Sequence, residues 1–321
     1  MGIEELAAKL ADRKRIGLTD ELAETLQVLP ADTARGRLLA TTEGTRGPLG
    51  IYLLSVYVVD DTDFWSDGEI YWWSIPVMTR ADGTVSWSAM TGLPAGAEPH
   101  DVGSHEWMTN FSLADPPLIA AIPNDEDITG CVIRLAFYDD DGALADLPKA
   151  MTAGYQALST CKSTGLKGPE QIITPVRDAI YKSLRAEQDD ILIDEDITIR
   201  RGEVTRFSAG FVGSVINSMI RVYYLVNDEM TTVRSGPYML RKGQTEVVRF
   251  DKELARGGRV SVFARGADVS TDAFGDLTTD VPLVNRVLDD RTASSMSRGF
   301  TVTAKGPAKF VAFYTPPKPV T

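Results

Sequence analysis

A chain of 321 residues, 43% hydrophobic and 24% charged, has the composition of a soluble globular protein long enough for two domains. Its 45 acidic against 33 basic side chains, a formal charge of −12, argue against a nucleic-acid backbone as the main partner, because phosphate binding needs basic clusters. With only Cys131 and Cys161 present a disulfide framework is not implied, and no stretch approaches the ~18 apolar residues of a membrane-spanning helix.

The start, Met1-Gly2-Ile3-Glu4-Glu5-Leu6, lacks the basic head and long apolar core of a secretory signal, so the expected location is cytoplasmic, with signal-independent export left open. Residues 1–46 read as a helical segment and linker. Ile3, Leu6, Ala7 and Leu10 follow a helical period, and Leu22, Leu26 and Leu29 repeat it after Thr19-Asp20 until Pro30. From about residue 47 strands alternate with Gly, Asp and Pro, the candidates being 50–59, 69–79, 84–89, 106–113, 117–122 and 131–138. All five tryptophans, Trp65, Trp72, Trp73, Trp87 and Trp107, lie in this region. Alternation in Ile70–Ile75 predicts one aromatic set facing inward, and Cys131, inside an apolar run, reads as a small buried residue.

Residues 147–188 return to helical character, with Ile172, Val176, Ile180 and Leu184 recurring every fourth residue after Pro169. A strand with an acidic entry follows at 189–199. The remainder reads as a second strand-rich unit: 204–216, 219–227, 237–241, 245–250, 258–265, 281–288 and 299–314, ending in a Pro-rich tail. The expected fold is therefore mainly β: two β-sandwich domains, 47–203 with a helical insertion at 147–188 and 204–321, after the N-terminal helical segment.

Two acidic tracts stand at strand ends. Asp60-Asp61-Thr62-Asp63-Phe64-Trp65-Ser66-Asp67-Gly68-Glu69 follows the apolar run 51–59, and Phe137-Tyr138-Asp139-Asp140-Asp141, continuing to Asp146, follows the run 131–136. Carboxylates packed this closely repel one another unless solvent or a cation stabilises them. Two such loops brought together by a sheet make an oxygen-rich site for a hard cation such as calcium. The alternative is that these residues terminate strands and keep edges soluble.

The spacing Asp61-x5-Asp67, with Ser66-Asp67-Gly68-Glu69-Ile70-Tyr71 behind it, resembles the first calcium loop of the C2-domain family. Asp139 and Asp141 have the Asp-x-Asp spacing of that family's third loop. A third aspartate should follow, and either Asp146 or Asp190, in Asp189-Asp190-Ile191-Leu192, supplies it. Gly68 stands where the family has proline, and there is no lysine-rich strand of the phosphoinositide-binding kind. The resemblance implies a sandwich whose loops collect calcium and then engage a lipid surface or a protein partner. The implied metal ligands are Asp61, Asp67, Asp139 and Asp141, with Asp60, Asp63, Asp146 and Asp190 as further candidates. Phe64 and Trp65 suit membrane or partner contact at the loop tip, or packing against the sandwich edge.

Other chemistry finds little support. His100 and His105 lack a cysteine pair and match no common zinc spacing; there is no Gly-x-Ser-x-Gly elbow and no phosphate-binding Gly-rich loop. A hydrolase is the weaker expectation, and a non-catalytic calcium-dependent binding module the leading one. A structural subunit of a larger assembly, including a homo-oligomer, is the alternative. A pore-forming or injected toxin, suggested by the uncharged run 207–220, is a minority reading.

Overall fold

The computed structural model describes residues 49–60, 68–87, 90–92, 100–108, 111–123, 125, 127–139, 146–161, 165–184, 190–200, 211–228, 231–297 and 299–317. The expected N-terminal helical segment lies outside them. The first half contains β1 (Leu49–Val58), β2 (Gly68–Arg80), β3 (Val85–Trp87), β4 (Thr91–Gly92), β5 (His100–Val102), β6 (Glu106–Trp107), β7 (Leu118–Ile122) and β8 (Ile128–Asp139). After these come helices α1 (Asp146–Thr160) and α2 (Glu170–Leu184), then β9 (Asp190–Arg200), β10 (Phe211–Ile216) and β11 (Ile220–Asp228). The second half contains β12 (Val233–Leu240), β13 (Thr245–Val248), β14 (Arg259–Gly266), β15 (Val269–Thr271), β16 (Gly275–Leu277), β17 (Leu283–Val287), helix α3 (Asp290–Met296), β18 (Phe300–Ala304) and β19 (Ala308–Thr315). The protein is mainly β, and its strand pairs are antiparallel.

Four sheets stack under a helical layer. Sheet I has the order β3-β2-β8-β9, with β4 and β5 also on β2; sheet II runs β10-β11-β1-β6, with β7 also on β1. Sheet III is β12-β19-β14-β17 and sheet IV is β13-β18-β15-β16. The β2 sequence explains the order of layers. Ile70 through Ile75 are all buried, so both faces of β2 are covered, and the expected single inward aromatic set becomes two. Trp72 stacks on Phe137 at 6.2 Å, and Ser74 Oγ on the same face donates to Ile119 O of sheet II (3.1 Å). The other face carries Tyr71, Trp73 and, on β8, Arg134, and is roofed by α1 and α2.

Under that roof Arg134 bridges Asp194 (3.1 Å) and Asp196 (2.9 Å) of β9. Burial, with Asp194 beside it, pushes the Tyr181 phenol of α2 above its usual range. The helices approach closely at Gly154, where a Cβ would stand 2.7 Å from Ile180 Cγ1.

Sheet II is likewise buried on both faces. Ile51, Leu53, Val56, Val222 and Val226 pack against sheet I. Tyr52, Leu54, Val212, Tyr223 and Leu225 pack against Phe263, Val311 and Phe313 of sheet III in one cluster. Trp107 sits in this seam against Tyr57 (5.0 Å), Tyr223 (5.7 Å) and Phe263 (6.1 Å). At roughly 1.5–3 kcal/mol for each fully buried aliphatic or Phe side chain, such a cluster is a core and not a hinge.

Several expectations need correction. Strands 211–216 and 220–228 do not open the C-terminal sandwich: β11 pairs with β1 along its length, from Leu49↔Asp228 to Val58↔Ile220. The boundary after residue 203 therefore cuts through sheet II, and the second sandwich begins at β12. Likewise β10 is the terminal strand of sheet II among the described residues. Strand 106–113 reaches only Trp107, because Ser112 Oγ accepts from the Ala114 and Asp115 amides (3.2 and 3.4 Å) and builds a turn before Pro116-Pro117. Strand 299–314 is two strands, β18 in sheet IV and β19 in sheet III, and the chain crosses between the sheets at Lys305-Gly306-Pro307, where Pro307 lacks a donor. Helix α3 was not expected; Asp289 caps it by accepting from Thr292 N–H at 2.7 Å.

Candidate metal-binding end

Both acidic tracts leave the same end of the first sandwich. β1 runs outward into Val59 and Asp60, whose amides both donate to Met219 O in the β10–β11 turn (2.7 and 3.1 Å). His105, at φ 65°, donates from Nδ1 to Val59 O (2.6 Å), since a carbonyl can only accept. This clamp sets the root of the 60–69 loop, which returns into β2 at Gly68.

The register of sheet I brings the second tract alongside. Ile70 lies opposite Asp139, and Asp139 lies opposite Asp190. Directly opposed antiparallel residues have Cα atoms roughly 4.5–5.5 Å apart, so the backbone positions of two candidate ligands are neighbours. Alternation places Asp139 on the β8 face that carries Leu135 and Phe137 and looks at sheet II; its side chain is fully buried. Burying a carboxylate costs several kcal/mol unless charge or hydrogen bonding compensates it. The platform beneath is aromatic and stiff: Tyr71 against Tyr138 at 5.7 Å, and Trp72 against Phe111 at 6.4 Å.

The candidate residues thus fall into three groups. Asp60 is an exposed residue at the end of β1, Asp139 a buried one at the end of β8, and Asp190 opens β9 beside it. Asp146 opens α1 instead. Asp61, Asp63, Phe64, Trp65, Asp67 and Asp141 lie outside the described residues. Among the described residues no group of three or more His, Cys, Asp or Glu side chains is placed to hold a metal ion. The candidate residues are all aspartates, and oxygen donors suit a hard cation and not zinc or copper.

Sequence reasoning missed the apolar rim of this end. Ile216 (57% exposed) stands opposite Arg221 in the β10–β11 hairpin, and Arg221 Nη1–H donates to Asp280 Oδ1 (2.9 Å) and Thr279 O (3.3 Å), next to Val281 (55% exposed). Asn217 Nδ2–H donates to Leu192 O (2.7 Å), next to Ile191 (39% exposed). Ile191, Ile216 and Val281 come from three separate strands or turns, and no local pattern could have joined them.

The two cysteines are not part of this end. Burial pushes the Cys131 thiol up to about 12, as for a core residue, and Cys161 lies at the end of α1. Among the described residues no helix is long and apolar enough to cross a membrane.

No family model matches the chain, and no curated protein sequence matches it. Among solved structures the chain is similar to human GIVD cytosolic phospholipase A2, in complex with methyl gamma-linolenyl fluorophosphonate and in the same complex with terbium chloride. Identity is 9% in both, with TM-scores of 0.22 and 0.21. The match covers 85% of this chain and 32% of those chains, so this chain spans about a third of their length. The resemblance is weak and at the level of fold alone.

Proposed function

We propose that this chain is a non-catalytic binding module that captures calcium at the acidic end of its first sandwich and uses it to engage a phosphate-bearing lipid surface. One observation carries the reading: the register Ile70↔Asp139↔Asp190 gathers, at one end of one sandwich, acidic stretches that are far apart in sequence. Candidate ligands are Asp60, Asp61, Asp63, Asp67, Asp139, Asp141 and Asp190, with Asp146 more distant. Calcium supplies there the positive charge that a chain of −12 lacks, which both relieves carboxylate repulsion and attracts phosphate. The exposed apolar residues of the rim, with Phe64 and Trp65 in the adjoining loop, give the lipid contact its apolar part.

The test is thermal unfolding in millimolar calcium against excess chelator, followed by co-sedimentation with phosphatidylserine vesicles. Calcium at a hundredfold its dissociation constant stabilises by about 2.7 kcal/mol. The expected result is a rise in melting temperature that is lost in Asp67→Asn/Asp141→Asn, with vesicle binding only when calcium is present. No shift with calcium, magnesium or manganese overturns the metal reading. A shift without vesicle binding assigns the loaded end to a protein partner instead.

A further inference from the structure

Charge is divided unevenly along this chain. Residues 231–321 contain fourteen Lys and Arg against nine Asp and Glu, a formal +5, so the preceding 230 residues carry −17 of the net −12. Part of that positive charge is displayed at one edge. β12 and β13 are the terminal strands of sheets III and IV, and they turn into each other at Arg241–Gln244. Arg241 N–H donates to Gln244 Oε1 (3.1 Å) and Gln244 N–H to Arg241 O (2.9 Å), while Ser235 Oγ donates to Arg249 O (2.5 Å). The edge exposes Arg241, Lys242 and Arg249, and its acid, Glu246, is half-buried and accepts from Gln244. Among the described residues no carboxylate pairs with Arg241 or Lys242. Met239, 73% exposed, and Val247, 45% exposed, alternate with the core residues Leu240 and Val248 and so leave this edge on opposite outer faces of the sandwich.

This edge is shaped for side-chain contact. Pro237 offers no N–H, and the β12–β19 register shifts between Ser235 and Tyr238, so β12 is a poor template for an added strand. Exposed cations along one edge call for an acidic surface. Pairing of the edge with its own copy about a two-fold axis sets like charges against each other and is disfavoured.

We propose that the β12–β13 edge docks on the acidic first sandwich of a second copy of this chain, at the β9 edge of sheet I. There β9, the terminal strand, exposes Glu195. The contact is head-to-tail, with a different patch on each partner, and therefore builds rings or filaments instead of closed pairs. It does not rest on calcium.

Sedimentation velocity of the full chain in excess chelator tests it, at low salt and at about 0.5 M salt, where the Debye length falls to a few ångströms. The wild type should rise above its 35.0 kDa monomer mass as concentration increases at low salt, and return to monomer at high salt. Arg241→Glu/Lys242→Glu and, separately, Glu195→Lys should each remain monomeric at concentrations where the wild type associates. All are exposed positions, so melting temperatures should match the wild type. An equimolar mixture of the two variants should associate again, because each retains the patch that the other has reversed. A wild type that stays monomeric at low salt, an association unmoved by salt, or either variant assembling like the wild type overturns the proposal. Because chelator is present throughout, failure here leaves the calcium reading standing, and the reverse holds too.

Discussion

Asn285 of β17 offers the sharpest test of how the two sandwiches are joined. Its side-chain amide acts as a strand neighbour for β10: Oδ1 accepts from Val212 N–H (2.9 Å) and Nδ2–H donates to Val212 O (2.8 Å). Ser261 Oγ donates to the same Oδ1 at 2.6 Å. One side chain thus satisfies both backbone groups of a buried residue on an edge strand. Asn285→Ala removes three hydrogen bonds, each worth a net ~0.5–1.5 kcal/mol, with a further cost if Val212 is left dry. Asn285 is exposed, so water can reach the vacated groups. The expected loss is therefore at the lower end, about 1–2 kcal/mol. Asn285→Asp should cost at least as much, because it keeps the acceptor but sets a second acceptor against Val212 O. Equilibrium urea unfolding followed by tryptophan fluorescence and by circular dichroism measures this. All five tryptophans lie between residues 65 and 107, so fluorescence reports on the first sandwich and, through Trp107, on its seam with the second. Both probes should shift together by the same free energy. An Asn285→Ala midpoint within error of the wild type, or a shift seen by circular dichroism only, refutes the view that this bridge couples the two halves.

Arg265 is buried in the same seam, donating to Met108 O (3.2 Å) and Ser55 Oγ (3.4 Å), with desolvation lowering its pKa. Replacing a buried charge by an apolar side chain of similar volume is often neutral or stabilising, so Arg265→Met should hold wild-type stability within about 1 kcal/mol. Arg265→Ala should lose about 2 kcal/mol or more to a cavity; equal losses in urea unfolding would show that the charge's hydrogen bonds hold the seam. Gly154→Ala should destabilise by about 1–3 kcal/mol through overpacking against Ile180, despite a gain of about 1 kcal/mol in helix propensity. A higher melting temperature for this variant would contradict the close helix contact. In native protein at pH 8 a disulfide reagent should modify Cys161 within minutes and Cys131 at least about a hundredfold more slowly, because a thiol shifted to about 12 is almost wholly protonated. Equal rates would place Cys131 outside the core.

By itself the sequence determined the mainly-β character, the helical insertion and most strand positions. Those signals are local: the period-four stripe Ile172–Val176–Ile180–Leu184, the apolar runs of β1 and β8, and the Gly, Asp and Pro breaks between them. It also marked both acidic tracts as lying at strand ends. What it could not reveal was pairing between distant segments. That β11 completes the sheet of β1 depends on which edge is open after the chain has passed through β9, and no local period encodes that choice. Nor could alternation show that β1 and β2 are covered on both faces, since a run such as Ile51–Val59 fits a buried strand whatever lies above it. Only the tertiary structure set Asp139 beside Asp190, gathered Ile191, Ile216 and Val281 at one end, and turned Met239 outward. These placements follow from register and layer order, which are settled by how whole faces bury one another.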